Sequence, residues 1–198
     1  KTEVARTRRD RALFDGQVFA NWEGNSDYFH IEDGVIVAGD SQNAIPRNEF
    51  LCTTARYRDF ELTLECKIEG PGANAGVQLR SERIPNHHEV SGYQADMSED
   101  GQYWGNLYDE SRRNRNLATP SDEARAAAYR PGEWNRYRII CWGTRIKIYL
   151  NDALMVDYVE EDPNIPLEGI IGLQIHQGGP SRAFYRNIRI EKFEPRII

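Results

Sequence analysis

Apolar and polar side chains alternate along most of this chain. Phe60-Glu61-Leu62-Thr63-Leu64-Glu65-Cys66-Lys67-Ile68 does so over nine residues. Successive side chains of an extended strand point to opposite faces, so this run predicts an amphipathic strand. Arg138–Trp142 and Arg145–Leu150, joined by Gly143-Thr144, predict a hairpin. Phe29–Glu32 and Val35–Val37 predict another around the favoured Asp33-Gly34 turn. Asn151-Asp152 turns into Leu154-Met155-Val156. Gly169–Gln177 and Ala183–Phe193 are two further strands, split by Gly178-Gly179-Pro180-Ser181. The single helical pattern runs from Ser121 to Ala128, with a capping residue, early acids and a stop at Pro131-Gly132. Many strands separated by Gly and Pro turns predict a β-sandwich or barrel. The longest stretch read as irregular is Ser98–Pro131, and a connection of that length in a compact domain is usually functional.

Three strands put polar groups where a sandwich would be bland: Val77-Gln78-Leu79-Arg80, Tyr93-Gln94-Ala95-Asp96-Met97 and Leu173-Gln174-Ile175-His176. On each, one parity is apolar or aromatic and the other polar. If the three share a sheet, it has one core face and one face of amides, guanidinium, carboxylate and imidazole. Such a surface suits a polyhydroxylated ligand. Arg80, Asp96 and His176 are then expected to line a common hollow.

Composition narrows the class. The 198 residues fit one domain, with 1–11 as a charged N-terminal segment and 12–198 as the domain. A net charge of −6 argues against a general nucleic-acid binder, and Arg112, Arg113 and Arg115 are the one basic cluster. No apolar run approaches the roughly 18 to 20 residues of a membrane span. The three cysteines contain no CxxC pair, which argues against a thiolate zinc site. Cys66 and Cys141 have core-facing parity, and a Cys52–Cys66 or a Cys66–Cys141 disulfide stays open. Lys1–Arg11 contains no apolar leader, so the chain is either cytosolic or shown without its signal segment.

A set of motifs also stands in a definite order and spacing. Leu13-Phe14-Asp15-Gly16, Trp22, Arg58-Asp59-Phe60-Glu61-Leu62 and Asn74-Ala75-Gly76-Val77-Gln78-Leu79-Arg80 make the first half. Gly92-Tyr93-Gln94-Ala95-Asp96, Gly105–Glu110, Gly132-Glu133-Trp134-Asn135, Leu150-Asn151-Asp152, Gly172–His176 and Phe184–Ile188 make the second. Over about residues 12 to 193 the chain resembles the 3-keto-disaccharide hydrolase domain family. The resemblance implies an all-β, concanavalin A-like jelly-roll sandwich of two antiparallel sheets with a concave polar face. It implies an exported bacterial protein, periplasmic or secreted, acting on glycosides already oxidised at carbon 3. Many members carry Glu at the position of Gln94 and Gln at that of Asp96. The acidic role therefore passes to Asp96, with Gln94 as its hydrogen-bonding neighbour.

A ketone at C3 acidifies the hydrogen on C2. Its removal expels the glycosidic oxygen from C1, a route that dispenses with the paired carboxylates of ordinary glycosidases. It needs a base, a stabiliser for the enolate oxygen and an acid for the leaving oxygen. His176 is the leading base, because an imidazole is substantially neutral at pH 7. Asp96 is a base, a relay or a metal ligand, or else a carboxylate paired with Arg80. Arg80 offers a planar fork of donors for hydroxyls or the enolate oxygen. Gln78, Gln94, Gln174 and Glu65 are candidate sugar contacts, as are Trp104, Tyr108 and Glu110 of the long connection, where aromatic faces can stack on sugar. His87 and His88, adjacent in a loop and expected to point apart, make a weak metal pair, and Ser98-Glu99-Asp100-Gly101 is too short for a calcium loop. A divalent metal stays open and no other cofactor is implied. The expected partner is a small carbohydrate, and the competing reading is a lectin-like binding module without turnover.

Overall fold

A computed structural model describes residues 9–193. Its strands in chain order are β1 (Arg9–Ala12), β2 (Trp22–Glu23), β3 (Phe29–Glu32), β4 (Val35–Asp40), β5 (Glu49–Thr53), β6 (Phe60–Glu69), β7 (Asn74–Arg83) and β8 (Val90–Ser98). They continue as β9 (Leu107–Glu110), β10 (Asn116–Ala118), β11 (Asn135–Trp142), β12 (Arg145–Leu150), β13 (Ala153–Val159), β14 (Ile170–Ile175) and β15 (Ser181–Lys192). The one helix among the described residues, α1 (Asp122–Ala128), is capped by the Ser121 hydroxyl, which accepts from Ala124 N–H. Two antiparallel sheets form the sandwich. One runs β13-β12-β11-β6-β15-β4-β3, with β1 added alongside β15; the other runs β10-β9-β8-β7-β14-β5-β2.

The alternation read in the sequence decides what lies between them. Phe60, Leu62, Leu64, Cys66 and Ile68 of β6 point inward and meet Val77, Leu79, Tyr93, Ala95, Met97, Leu173 and Ile175 of the second sheet in one core. Both predicted hairpins form. Three expectations change. Beside the predicted helix, the stretch Ser98–Pro131 contains β9 and β10, which widen the second sheet. The first sheet also begins before residue 12, since Arg9–Ala12 pairs with Arg189–Lys192; residues 1–8 of the charged segment lie outside the described residues. Finally, neither disulfide exists: all three cysteines are free and buried. Cys66 stands opposite Asn135 and Cys141 opposite Phe60, so six residues of strand, about 20 Å, separate the two. Cys52 belongs to the other sheet.

A bulge shapes the second sheet. Leu79 pairs with Tyr93 but Glu82 pairs with Ser91, so β7 carries one extra residue at Arg80–Ser81. Arg80 takes a left-handed conformation, φ 45°, unusual for a residue with a side chain. The bend swings the β7–β8 tip across the outer face of the sheet. Arg83 Nη2 donates to the Glu23 and Phe50 carbonyls at 2.9 and 3.0 Å, and His88 Nδ1 lies 3.0 Å from the Asn48 carbonyl. Phe50, Cys52, Val90 and Ile170 form a second apolar cluster.

Candidate functional site

The polar parities of the second sheet do converge. Gly172, Gln78, Gln94 and Tyr108 stand opposite one another across β14, β7, β8 and β9, and Gln174, Gly76 and Asp96 form the next row. Gly76 makes room: a Cβ there would lie 2.6 Å from the Gln94 side chain. Gln94 leans through that gap. Its Nε2 donates to Asp96 Oδ1 at 2.7 Å and to Gln174 Oε1 at 3.2 Å, and its Oε1 accepts from Gln78 Nε2 at 2.6 Å. Gln174 Nε2 donates onward to Glu110 Oε2 at 3.2 Å. A continuous amide chain thus joins two carboxyl groups. Buried tyrosines of the first sheet fix the backbone beneath: Tyr185 donates to the Gln174 carbonyl at 2.6 Å and Tyr137 to the Asp96 carbonyl.

The carboxyls are not ordinary. Burial pushes Asp96 up to about 8, against the Gln94 hydrogen bond and with help from the nearby Glu110 charge. At neutral pH Asp96 therefore holds a proton. Gln94 occupies Oδ1, so the proton belongs on Oδ2, which has no donor among the described residues. Glu110 is also raised, by burial and by the charge of Glu89, with Gln174 and His176 acting the other way. His176 follows β14 on the same parity as Gln174 and is partly exposed. Its Nδ1 lies 2.8 Å from the Gln177 carbonyl, which only accepts. Nδ1 thus carries the hydrogen in the neutral ring, and Nε2 is left as the basic atom.

Several expectations are corrected. Arg80 is not in this row and does not meet Asp96. The bulge turns its guanidinium away, where Nε donates to the Arg58 carbonyl and Nη1 to the Gly143 carbonyl, both at 2.7 Å, and Nη2 meets Asp59 Oδ1 at 3.1 Å. Glu65 lies on the outer face of the other sheet, bound to Arg186 and Asn187. Trp104 is fully buried, its indole N–H given to the Ser98 carbonyl at 2.8 Å and its ring against Tyr129 and Tyr137. Gln78 and Gln174 are fully buried, with the Gln78 carbonyl taken by Ser81. They hold the acids in place and do not present themselves to a sugar. Tyr108 and Glu110 do face the site, whereas Asp109 turns inward to Arg112 and Arg113.

The sequence reading gave no role to Asn48 or Glu89. Asn48 Nδ2 donates to Glu89 Oε1 at 2.9 Å, and Ser111 Oγ to Glu89 Oε2 at 3.3 Å. Glu89 was visible only as the neighbour of His87-His88, and those rings, expected to diverge, stack at 4.3 Å. Among the described residues no three His, Cys, Asp or Glu side chains converge in an arrangement that would hold a metal ion.

The Asp96 proton makes stability depend on pH. The fold keeps it to about pH 8, whereas an unfolded chain releases it near pH 4. Between those values the native state binds more protons, so stability falls as pH rises, by up to about 1.4 kcal/mol per unit. Asp96→Asn removes that dependence and keeps an oxygen for Gln94. The variant should melt above the wild type at pH 8, with the difference closing toward pH 4. A difference constant with pH in calorimetric melts would show that Asp96 stays ionised in the fold.

A family model of the 3-keto-alpha-glucoside-1,2-lyase-like domain matches residues 9–191. Among solved structures, a candidate glycosyl hydrolase from Parabacteroides distasonis superposes with a TM-score of 0.70 at 17% identity, over 93% of this chain and 94% of that one. The carbohydrate-binding module CBM66 from Bacillus subtilis gives 0.65 at 16% identity, over 86% and 95%. A Bacillus subtilis protein of galectin-like fold gives 0.61 at 14%, over 96% and 100%. At such identities the likeness establishes the jelly-roll fold and nothing finer. No curated protein sequence matches.

Proposed function

Because the chain belongs to the 3-keto-alpha-glucoside-1,2-lyase-like domain family, we propose that it cleaves the glycosidic bond of 3-keto-glycosides by elimination across C1 and C2. His176 Nε2 takes the proton from C2, and the electron pair of that bond moves toward C3 to give an enolate. Asp96, protonated at Oδ2, lies on the same face as the acid, giving a hydrogen bond to the enolate oxygen or its proton to the departing oxygen. As the C1–O bond breaks, a C1–C2 double bond forms in conjugation with the ketone. The freed alcohol leaves, and water can add to the double bond afterwards, giving net hydrolysis. Glu110, beside His176, steadies the imidazolium once it forms. Tyr108, half-exposed at the rim, is the aromatic surface available to the sugar.

The observation that carries this reading is the amide chain that joins the buried Asp96 carboxyl to Glu110 through Gln94 and Gln174, with His176 near enough for its charge to act on Glu110. The test is incubation with 3-keto-trehalose and with a 3-keto-glucoside, with and without chelator, followed by NMR. Consumption with loss of the C2 hydrogen is expected, together with an enone or its hydrate. Binding without turnover would replace the enzyme by a sugar-binding module. Neither binding nor turnover with any 3-keto sugar would remove both.

A further inference from the structure

His176 and Glu110 come to the site from distant strands. One follows β14, the other ends β9, and β8 and β7 lie between. One carboxylate links the two. Glu89 closes the arched tip just before β8. Through Oε1 it accepts from Asn48 Nδ2 at 2.9 Å, and Asn48 Oδ1 accepts from Gln177 N–H at 3.0 Å, the residue directly after His176. Through Oε2 it accepts from the hydroxyl of Ser111, the residue directly after Glu110, at 3.3 Å. His88 adds a second tie, its Nδ1 being 3.0 Å from the Asn48 carbonyl. One oxygen of Glu89 therefore leads to His176 and the other to Glu110.

We infer that Glu89 is a positioning residue that braces His176 against Glu110, acting through Asn48 and Ser111; this rests on the reading of that pair as the proton-removing end of the site. The brace also brings a charge. Glu110 is faced by Asp96 from β8, by His176 from the end of β14, by Tyr108 on its own strand and by Glu89 from the tip. Arg112 is paired with Asp109, and Arg113 with Asp109 and Glu160. Glu89 thus opposes ionisation of Glu110, and geometry and charge are separable by substitution.

Glu89→Gln keeps an acceptor for Asn48 and removes the charge. Its kcat on a 3-keto-glucoside should stay near the wild-type value, while the acidic limb of kcat/KM moves to lower pH. Asn48→Ala keeps the charge and cuts the brace. Its kcat should fall about tenfold to a hundredfold with the limb unmoved, the scale expected for a misplaced reacting group. A role confined to folding would instead lower the melting temperature of both and move neither quantity. The imidazole NMR signals of His176, assigned with His176→Asn and recorded without substrate, should shift in Asn48→Ala and Glu89→Ala and stay near their wild-type positions in Glu89→Gln. An active wild type with unchanged kcat and unchanged His176 signals in Asn48→Ala overturns the brace alone. A wild type that turns over nothing overturns the proposed activity, and the ring signals still decide the brace.

Discussion

His176→Asn lowers kcat/KM for a 3-keto-glucoside by about a hundredfold or more, the usual contribution of a positioned general base. The substitution is chosen because the asparagine amide can still donate to the Gln177 carbonyl, as Nδ1 does. What it removes is Nε2, the one ring atom free to accept the C2 proton. The side chain is partly exposed and its hydrogen bond to Gln177 is local, so the fold should survive. Steady-state kinetics beside a thermal melt checks both halves. An unchanged kcat would move the base elsewhere, with Glu110 next in line. Deuterium at C2 sharpens the comparison, because a primary isotope effect on the wild type shows that this proton moves in the slow step.

Arg80→Ala destabilises the protein by about 3–5 kcal/mol, the range for removing one partner of a buried ion pair. The Arg80 side chain is 0% exposed. Its fork joins β7 of one sheet to Arg58 and Asp59 before β6, and to Gly143 between β11 and β12, in the other. Truncation leaves two carbonyls without donors and a void of arginine size. Asp59 keeps the Gly143 N–H at 2.8 Å, so part of the corner persists. Arg80→Lys should recover little, because one ammonium cannot reproduce three fixed donors. Urea titration measures the effect as a lower midpoint at similar slope. A midpoint within experimental error of wild type would mean that the corner is held by Asp59 alone.

The legible and illegible parts of this molecule divide on physical grounds. Strand parity placed Gln78, Gln94, Asp96, Gln174 and His176 on one face, because a period of two survives wherever a strand is regular. Parity failed at Arg80, where an inserted residue reverses it, and a bulge leaves no mark on the hydrophobic pattern. Glu65 also obeys parity, but nothing in β6 says which sheet it joins. Trp104 illustrates a third limit. A tryptophan in a long connection reads equally as sugar platform or as core, and only its contacts with Tyr129 and Tyr137 decide. Glu89 and Asn48 meet because the tip arches over the sheet, a consequence of the bulge that no local pattern announces. The motifs that carry the family resemblance fared differently: Arg58-Asp59 and Arg80 belong to two of them, and the structure shows them bonded to each other.

The position of β15 has a consequence for how the protein is made. It pairs with β6 on one side and with β4 and β1 on the other, yet it is the last of these strands to leave the ribosome. Until Ser181–Lys192 has emerged, β4 and β6 present open hydrogen-bonding rims with nothing to zip them together. Folding of this domain therefore waits for β15 and is dominated by contacts distant in sequence, a slow topology. A nascent chain halted short of β15 would be prone to stick to other chains through those rims.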